Sequence, residues 1–210
     1  SAGDKLLVYV NDGSYQANLV GTVSGPANVT GLDLTQGRMI IGDTNAVNLA
    51  SSYSNADLST ARFANSNVYY TVSGTALTVT GSDLYIPQGV VFTPGGSVTV
   101  ADDLVVAGTL NAGQNTLSEG GDWSFSNITN LGNVALTGSG AIVSNGAHFN
   151  DLAVSGDYGF SDALAVNGTL SVTSGSLVQN ANLSAGNYAQ TGGTFSDPNP
   201  LSHAFSVAGS

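Results

Sequence analysis

Few side chains in this 210-residue chain are equipped for chemistry. Thirteen aspartates and one glutamate, Glu119, face only three cations, Lys5, Arg38 and Arg62. There are two histidines, His148 and His203, and no cysteine. Nucleophilic catalysis needs a nucleophile beside a positioned base, and the chain has no G-x-S-x-G elbow. His148 opens an expected strand, and His203 lies in the C-terminal tail. A polysaccharide lyase needs a base and cations that neutralise uronate carboxylates, which three scattered basic residues do not supply. A glycosidase needs two carboxyl groups about 5–9.5 Å apart. Asp102 and Asp103 are adjacent, so a strand would point them to opposite faces. The chain is therefore read as non-enzymatic.

Metal binding is the chemistry that the acids suit best. Aspartate, asparagine and turn carbonyls are hard oxygen donors appropriate to Ca²⁺, and Asp102, Asp103, Asp122, Asp151 and Asp157 are the candidate ligands. The alternative is that they are solvated turn residues, since no EF-hand loop or G-G-x-G-x-D array is present. Zinc is excluded by two distant histidines and no cysteine. An intramolecular isopeptide would need Lys5, an Asn or Asp partner and a buried acid such as Glu119, and Lys5 and Glu119 are far apart in sequence. N-x-S/T sequons occur at Asn28, Asn127, Asn167 and Asn182, no more than the Asn, Ser and Thr content produces by chance. Tyr69, Tyr70 and Trp123 either offer a sugar-stacking surface or serve the core, and the core is the preferred reading.

Composition then sets the scaffold. Charged residues are 8% of the chain, against about 25% in an ordinary soluble domain, so solvent faces must be built from hydroxyls and amides. Thr favours strands, and Gly, Asn and Ser favour tight turns. A formal net charge of −11 argues against nucleic acid and against anionic membranes. The longest apolar run, Leu6 to Val10, cannot cross a bilayer. No signal peptide is visible and the single Met is Met39, which reads as a processed protein or a fragment.

Residues 98–110 (VTVADDLVVAGTL) match residues 158–170 (YGFSDALAVNGTL), aligning Asp102 with Asp162 and Leu104 with Leu164. A sixty-residue offset divides into three coils of roughly 20 residues, so each coil would stack its aliphatic residues on the next. Asp102 and Asp162 would then be about 14 Å apart, too far for paired-carboxylate hydrolysis. Short alternating strands are expected from residue 74 to 196, for example Ala76–Thr80, Asp83–Ile86 and Leu104–Val106. Residues 1–73 differ and form either a β-rich cap, serving assembly, or a separate small domain. Within them Lys5-Leu6-Leu7-Val8-Tyr9-Val10 is a strand ended by Asn11-Asp12-Gly13, and residues 44–66 are a loop or carry a short helix near Ala56–Phe63. Residues 197–210, with Pro198 and Pro200, read as a tail.

The stretch from about residue 97 to 193 resembles the repetitive β-helical regions of large bacterial surface proteins, the filamentous-haemagglutinin-like and autotransporter-like adhesin passengers. The residues that carry the resemblance are Phe149-Asn150-Asp151-Leu152-Ala153-Val154-Ser155-Gly156, the run from Ser161 to Leu177, and Gly120-Gly121-Asp122-Trp123-Ser124. It implies a right-handed parallel β-helix, or β-solenoid, in an extracellular structural role at a cell surface: filament, surface layer or adhesin. On this reading the partners are copies of the chain itself, through strand addition at Lys5 to Val10, with no cofactor beyond Ca²⁺. The alternative is a glycan-binding or glycan-degrading β-helix of the phage-tailspike kind.

Overall fold

The computed structural model describes residues 1–63, 65, 67–124, 128–129 and 131–209. It is a β-solenoid of about 10 turns with coils of about 19 residues; 49% of the chain is strand and 4% helix, so helix packing plays no part beyond one short segment. One coil visits three positions: Leu104–Val106, Thr109–Asn111 and Leu117–Glu119, after which Trp123–Ser124 starts the next. Strands in equivalent positions pair in parallel from coil to coil, as in Leu84 with Leu104, Phe92 with Leu110, and Val98 with Leu117.

Alternation along these short strands puts every second side chain inside. The result is two ladders on one face. Leu77, Val98, Leu117, Val134, Leu152, Leu170 and Tyr188 stack in register, and beside them run Val79, Val100, Glu119, Leu136, Val154, Val172 and Gln190. Burying one Leu or Val contributes about 1.5–3 kcal/mol, whereas an exposed ion pair contributes about 0–1 kcal/mol. The ladders therefore hold the coils together, and the scarcity of charge costs the fold little.

The corners stack through backbone. Gly120, Gly138, Gly156, Gly175 and Gly193 form a column at spacings of 18, 18, 19 and 18 residues. A Cβ on Gly138 would lie 2.0 Å from the Gly120 carbonyl oxygen, and one on Gly156 would lie 1.8 Å from that of Gly138. The same carbonyls accept hydrogen bonds from the next coil, Ser139 N–H to Gly120 and Asp157 N–H to Gly138.

The sixty-residue match is not a structural repeat. Three coils of about 19 residues fall short of sixty, so the two segments land on different faces. Leu104 pairs with Leu84, whereas Leu164 pairs with Leu183 in another sheet. Asp102 and Asp162 accordingly do not stack.

Residues 1–73 share a sheet and a core with the coils that follow. Lys5–Asn11, Gln16–Thr22 and Arg38–Ile41 run on into Asp83–Ile86 and Leu104–Val106 as one five-stranded sheet. Val20, Met39, Ile41, Tyr53, Leu58 and Tyr70 belong to the same buried cluster as the coil ladders. Two antiparallel pairs lie at this end, Lys5–Asn11 against Gln16–Thr22 and Tyr70–Ser73 against Ala76–Val79. The helix is Asn55–Arg62. Ser54 caps it, with the Asp57 carboxylate returning to the Ser54 N–H in a capping box. Leu58 is fully buried on the inner side of the helix, and the Tyr70 hydroxyl donates to the Leu58 carbonyl at 3.0 Å.

Candidate functional site

The expected assembly strand, Lys5 to Val10, is the outermost strand of its sheet. It pairs with Gln16–Thr22 over seven residues, and among the described residues no strand lies at its other edge. Its turn is made by the Asp12 carboxylate, which accepts from the Ser14 and Tyr15 N–H groups. Leu6, Leu7 and Val8 are half-buried, and Tyr9 and Val10 are exposed. Lys5 Nζ lies 2.5 Å from Asp57 Oδ1 and 3.0 Å from the Thr22 hydroxyl. Asp57 is thus the acid beside Lys5, while Glu119, the buried acid named for an isopeptide, is bonded instead to the Leu104 N–H. Burial opposes ionisation of Asp57, but the bonds from Lys5 and Ser54 outweigh it and hold its pKa below the usual carboxylate value.

The aspartates divide into two groups. Asp103 Oδ1 accepts from the Asp122 N–H at 2.9 Å, Asp122 Oδ1 from the Ala141 N–H at 2.7 Å, and Asp151 Oδ1 from the Thr169 N–H at 2.7 Å. Each is a carboxylate set one coil away from an amide it caps. Asp162 reaches back to the preceding coil and accepts from Ser144 N–H, Ser144 Oγ and Asn145 N–H at 2.7–2.9 Å. Burial works against its charge, yet these donors keep its pKa low. Of the five candidate calcium ligands, the fold brings Asp102 and Asp103 together, joined by Asp83, with one oxygen of each within 4.8 Å of the others. Asp122, Asp151 and Asp157 do not join them. Arg38 Nε is 3.8 Å from Asp83 and its guanidinium lies 5.0 Å from the Tyr85 ring centre, so a protein cation already faces the cluster. Burial, then Asp103 and Asp102, raises the Asp83 pKa against the pull of Arg38.

Glu119 is the residue whose position the sequence did not reveal. It occupies a core rung flanked by Val100 and Leu136 and has 0% exposure. Oε1 accepts from the Leu104 N–H, and Oε2 has no hydrogen-bond partner among the described residues. Burial pushes its pKa up to about 9, opposed by the Leu104 N–H and reinforced by Asp103 and Asp122. The acid is therefore uncharged at neutral pH.

The C-terminal coil ends three ladders in aromatic rings. Tyr188 continues the Leu152–Leu170 ladder, Phe195 follows Leu177, and Phe205 follows Leu183. Their ring centres are 5.1–5.7 Å apart. The His203–Asp197 pair, 3.0 Å apart, lies in the adjoining loop. Among the described residues no hydroxyl is hydrogen-bonded to either histidine.

A separate cleft of about 250 Å³ runs over the Arg38–Ile41 and Asp83–Ile86 strands, lined by Asp33, Arg38, Asp43, Asn45 and Tyr85 among others. Asn45 bridges the two acids, donating from its side chain to Asp33 and from its backbone to Asp43. The proposed sugar-stacking residues are not in it. Tyr70 and Trp123 are buried, Trp123 packing 4.9 Å from Phe149, because both fall on inward positions. The sequon residues Asn28, Asn167 and Asn182 are exposed, and Asn182 Oδ1 accepts from the Ala204 N–H; Asn127 lies outside the described residues. No helix among the described residues is long and apolar enough to cross a membrane. No family model, curated protein or solved structure matches the chain.

Proposed function

We propose that this chain is a structural module of an extracellular microbial surface assembly, working by association with copies of itself and without catalysis. The observation that carries this reading is the stack of about 10 coils on a single aliphatic core, with Lys5–Asn11 the outermost strand of its sheet among the described residues. Open edges are sites for strand addition. An exterior built mainly of amides and hydroxyls supports a scaffold rather than a catalyst. Negative-stain microscopy and light scattering of the purified chain test it: polymers or discrete oligomers are expected, and a single monomeric species at all concentrations overturns it.

Glycan binding is the second reading, favoured by the Arg38–Tyr85 cleft with its bridged Asp33 and Asp43. A glycan array, with assay for released reducing sugar, tests it. Binding that Tyr85→Ala abolishes supports it, and no binding overturns it.

A further inference from the structure

The dipeptide Asn-Gly occurs twice, at Asn145-Gly146 and Asn167-Gly168, and the fold treats the two oppositely. Glycine has no side chain to hinder its own nitrogen, so that nitrogen can attack the preceding side-chain amide wherever the backbone is free to turn. Ser144 to Ala147 form a tight turn. Ala147 N–H donates to Ser144 C=O at 2.9 Å, and φ is +50° at Asn145 and +77° at Gly146. Positive φ at both central residues is the type I′ geometry that Asn-Gly favours. Both residues are exposed. Apart from its chain neighbours, no heavy atom of the described residues lies within 4 Å of where a Gly146 Cβ would stand.

Asn167-Gly168 is instead held inside the stack. Gly168 N–H donates to Asn150 C=O at 2.7 Å, and a Cβ there would lie 2.3 Å from Asp151 Oδ1. On the other side, the Asn167 carbonyl oxygen lies 2.2 Å from where a Gly186 Cβ would stand. Neighbouring coils therefore pin this peptide from both sides.

The Gly146 N–H also has an outlet for its proton. It donates to Ser144 Oγ at 3.2 Å. That buried hydroxyl donates in turn to Asp162 Oδ2 at 2.7 Å, with Ala163 C=O a second acceptor at 3.0 Å. Burial opposes the charge of Asp162, but its donors hold its pKa low, so the carboxylate is available to accept.

We propose that Asn145 is a site of self-modification, its side chain cyclising onto the Gly146 nitrogen while Ser144 and Asp162 draw off the amide proton. The bond from Gly146 N to Asn145 Cγ forms, the Cγ–Nδ2 bond breaks, and ammonia leaves with a proton matching the one surrendered. Water then opens the cyclic imide. Opening at Cγ gives aspartate. Opening at the main-chain carbonyl gives isoaspartate, which carries an extra methylene in the backbone. Either product sets a new carboxylate close to Asp162, whose Oδ2 accepts from the Asn145 N–H at 2.8 Å.

The test is peptide mapping by mass spectrometry of the full folded chain, aged in mildly alkaline buffer made with heavy-oxygen water. Heavy oxygen marks each converted asparagine. Asn145 should convert at least about tenfold faster than Asn167, the factor set by about 1.4 kcal/mol of extra opening cost in a stacked coil. In urea that gap should close. Ser144→Ala separates a proton relay from a mere clamp on the turn: losing a relay slows conversion at Asn145, whereas losing a clamp speeds it. Asp162→Asn, which keeps an acceptor, should slow it too, and thermal melting confirms that both variants fold. Equal rates at the two sites in the folded chain, or an intact Asn145, overturn the site. A gap that persists in urea overturns the structural argument for it. Unchanged or faster conversion in both variants overturns the relay.

Discussion

Glu119 Oε1 accepts a hydrogen bond from the Leu104 N–H at 3.0 Å, from inside a ladder whose neighbouring rungs are Val100 and Leu136. The unfolded chain releases this proton near pH 4.5, whereas the folded chain keeps it up to about pH 9. Between those values the folded state binds more protons, so stability falls as pH rises, on the order of 1.4 kcal/mol per unit at the steepest. Melting temperature should therefore decline from pH 5 to pH 9. Glu119→Gln, which retains the acceptor for Leu104, should flatten that slope. An unchanged slope in Glu119→Gln shows that another group is responsible.

Asp162 works in the opposite direction. Its folded pKa lies below 3.8, so its contribution is present above that value and is lost as pH falls through the lower, folded one. Asp162→Ala leaves Ser144 and Asn145 donors unmatched and should cost about 1–3 kcal/mol, read as a lower urea midpoint at pH 7. As pH falls through the folded pKa, the difference between mutant and wild type should shrink.

The glycine column predicts a sharp contrast between two neighbours. Gly156→Ala forces a Cβ to within 1.8 Å of a backbone oxygen that cannot move aside, while the nearest atom to a Cβ on Gly159 is 3.6 Å away. Gly156→Ala should cost about 3 kcal/mol or more. Gly159→Ala should be close to neutral. Equal melting temperatures for the two would contradict the corner packing.

Asp83, Asp102 and Asp103 raise one another's energy when no ion lies between them. In chelator-treated, low-salt buffer, neutralising the exposed Asp102 as Asp102→Asn should stabilise by about 0.5 kcal/mol, a rise of about 1–2 °C. Calcium discriminates the roles. If the three acids ligate Ca²⁺, adding it reverses the sign and makes the wild type the more stable protein. If they are only crowded acids, the ranking stays.

Much of the solenoid was legible because its signals are local. Alternation marked Asp83–Ile86 and Leu104–Val106 at their observed bounds, and the Ala/Ser-rich stretch carried its helix one residue from the expected start. Gln16–Thr22 was missed because its residues are buried without alternation. Its second face is covered too, Gly21 lying against Leu49. The expected coil of roughly 20 residues is close to the observed 19, but the sixty-residue match does not set it; the glycines at 120, 138, 156, 175 and 193 carry the period. The acids were the least legible. Nothing local separates Asp103, which caps an amide one coil away, from Asp102, which does not. Glu119 occupies a core rung whose environment only the ladder register reveals.

The antiparallel pairs and the capped helix occupy the first coils, and the strands after Ala76–Val79 pair in parallel, most of them with one already made. During synthesis that closed end leaves the ribosome ahead of the coils that build on it. Each new coil then meets a finished template and needs only nearby contacts to settle into register. The molecule thus has a direction of growth, and a deletion near its start should hinder folding more than a deletion of equal length near its end.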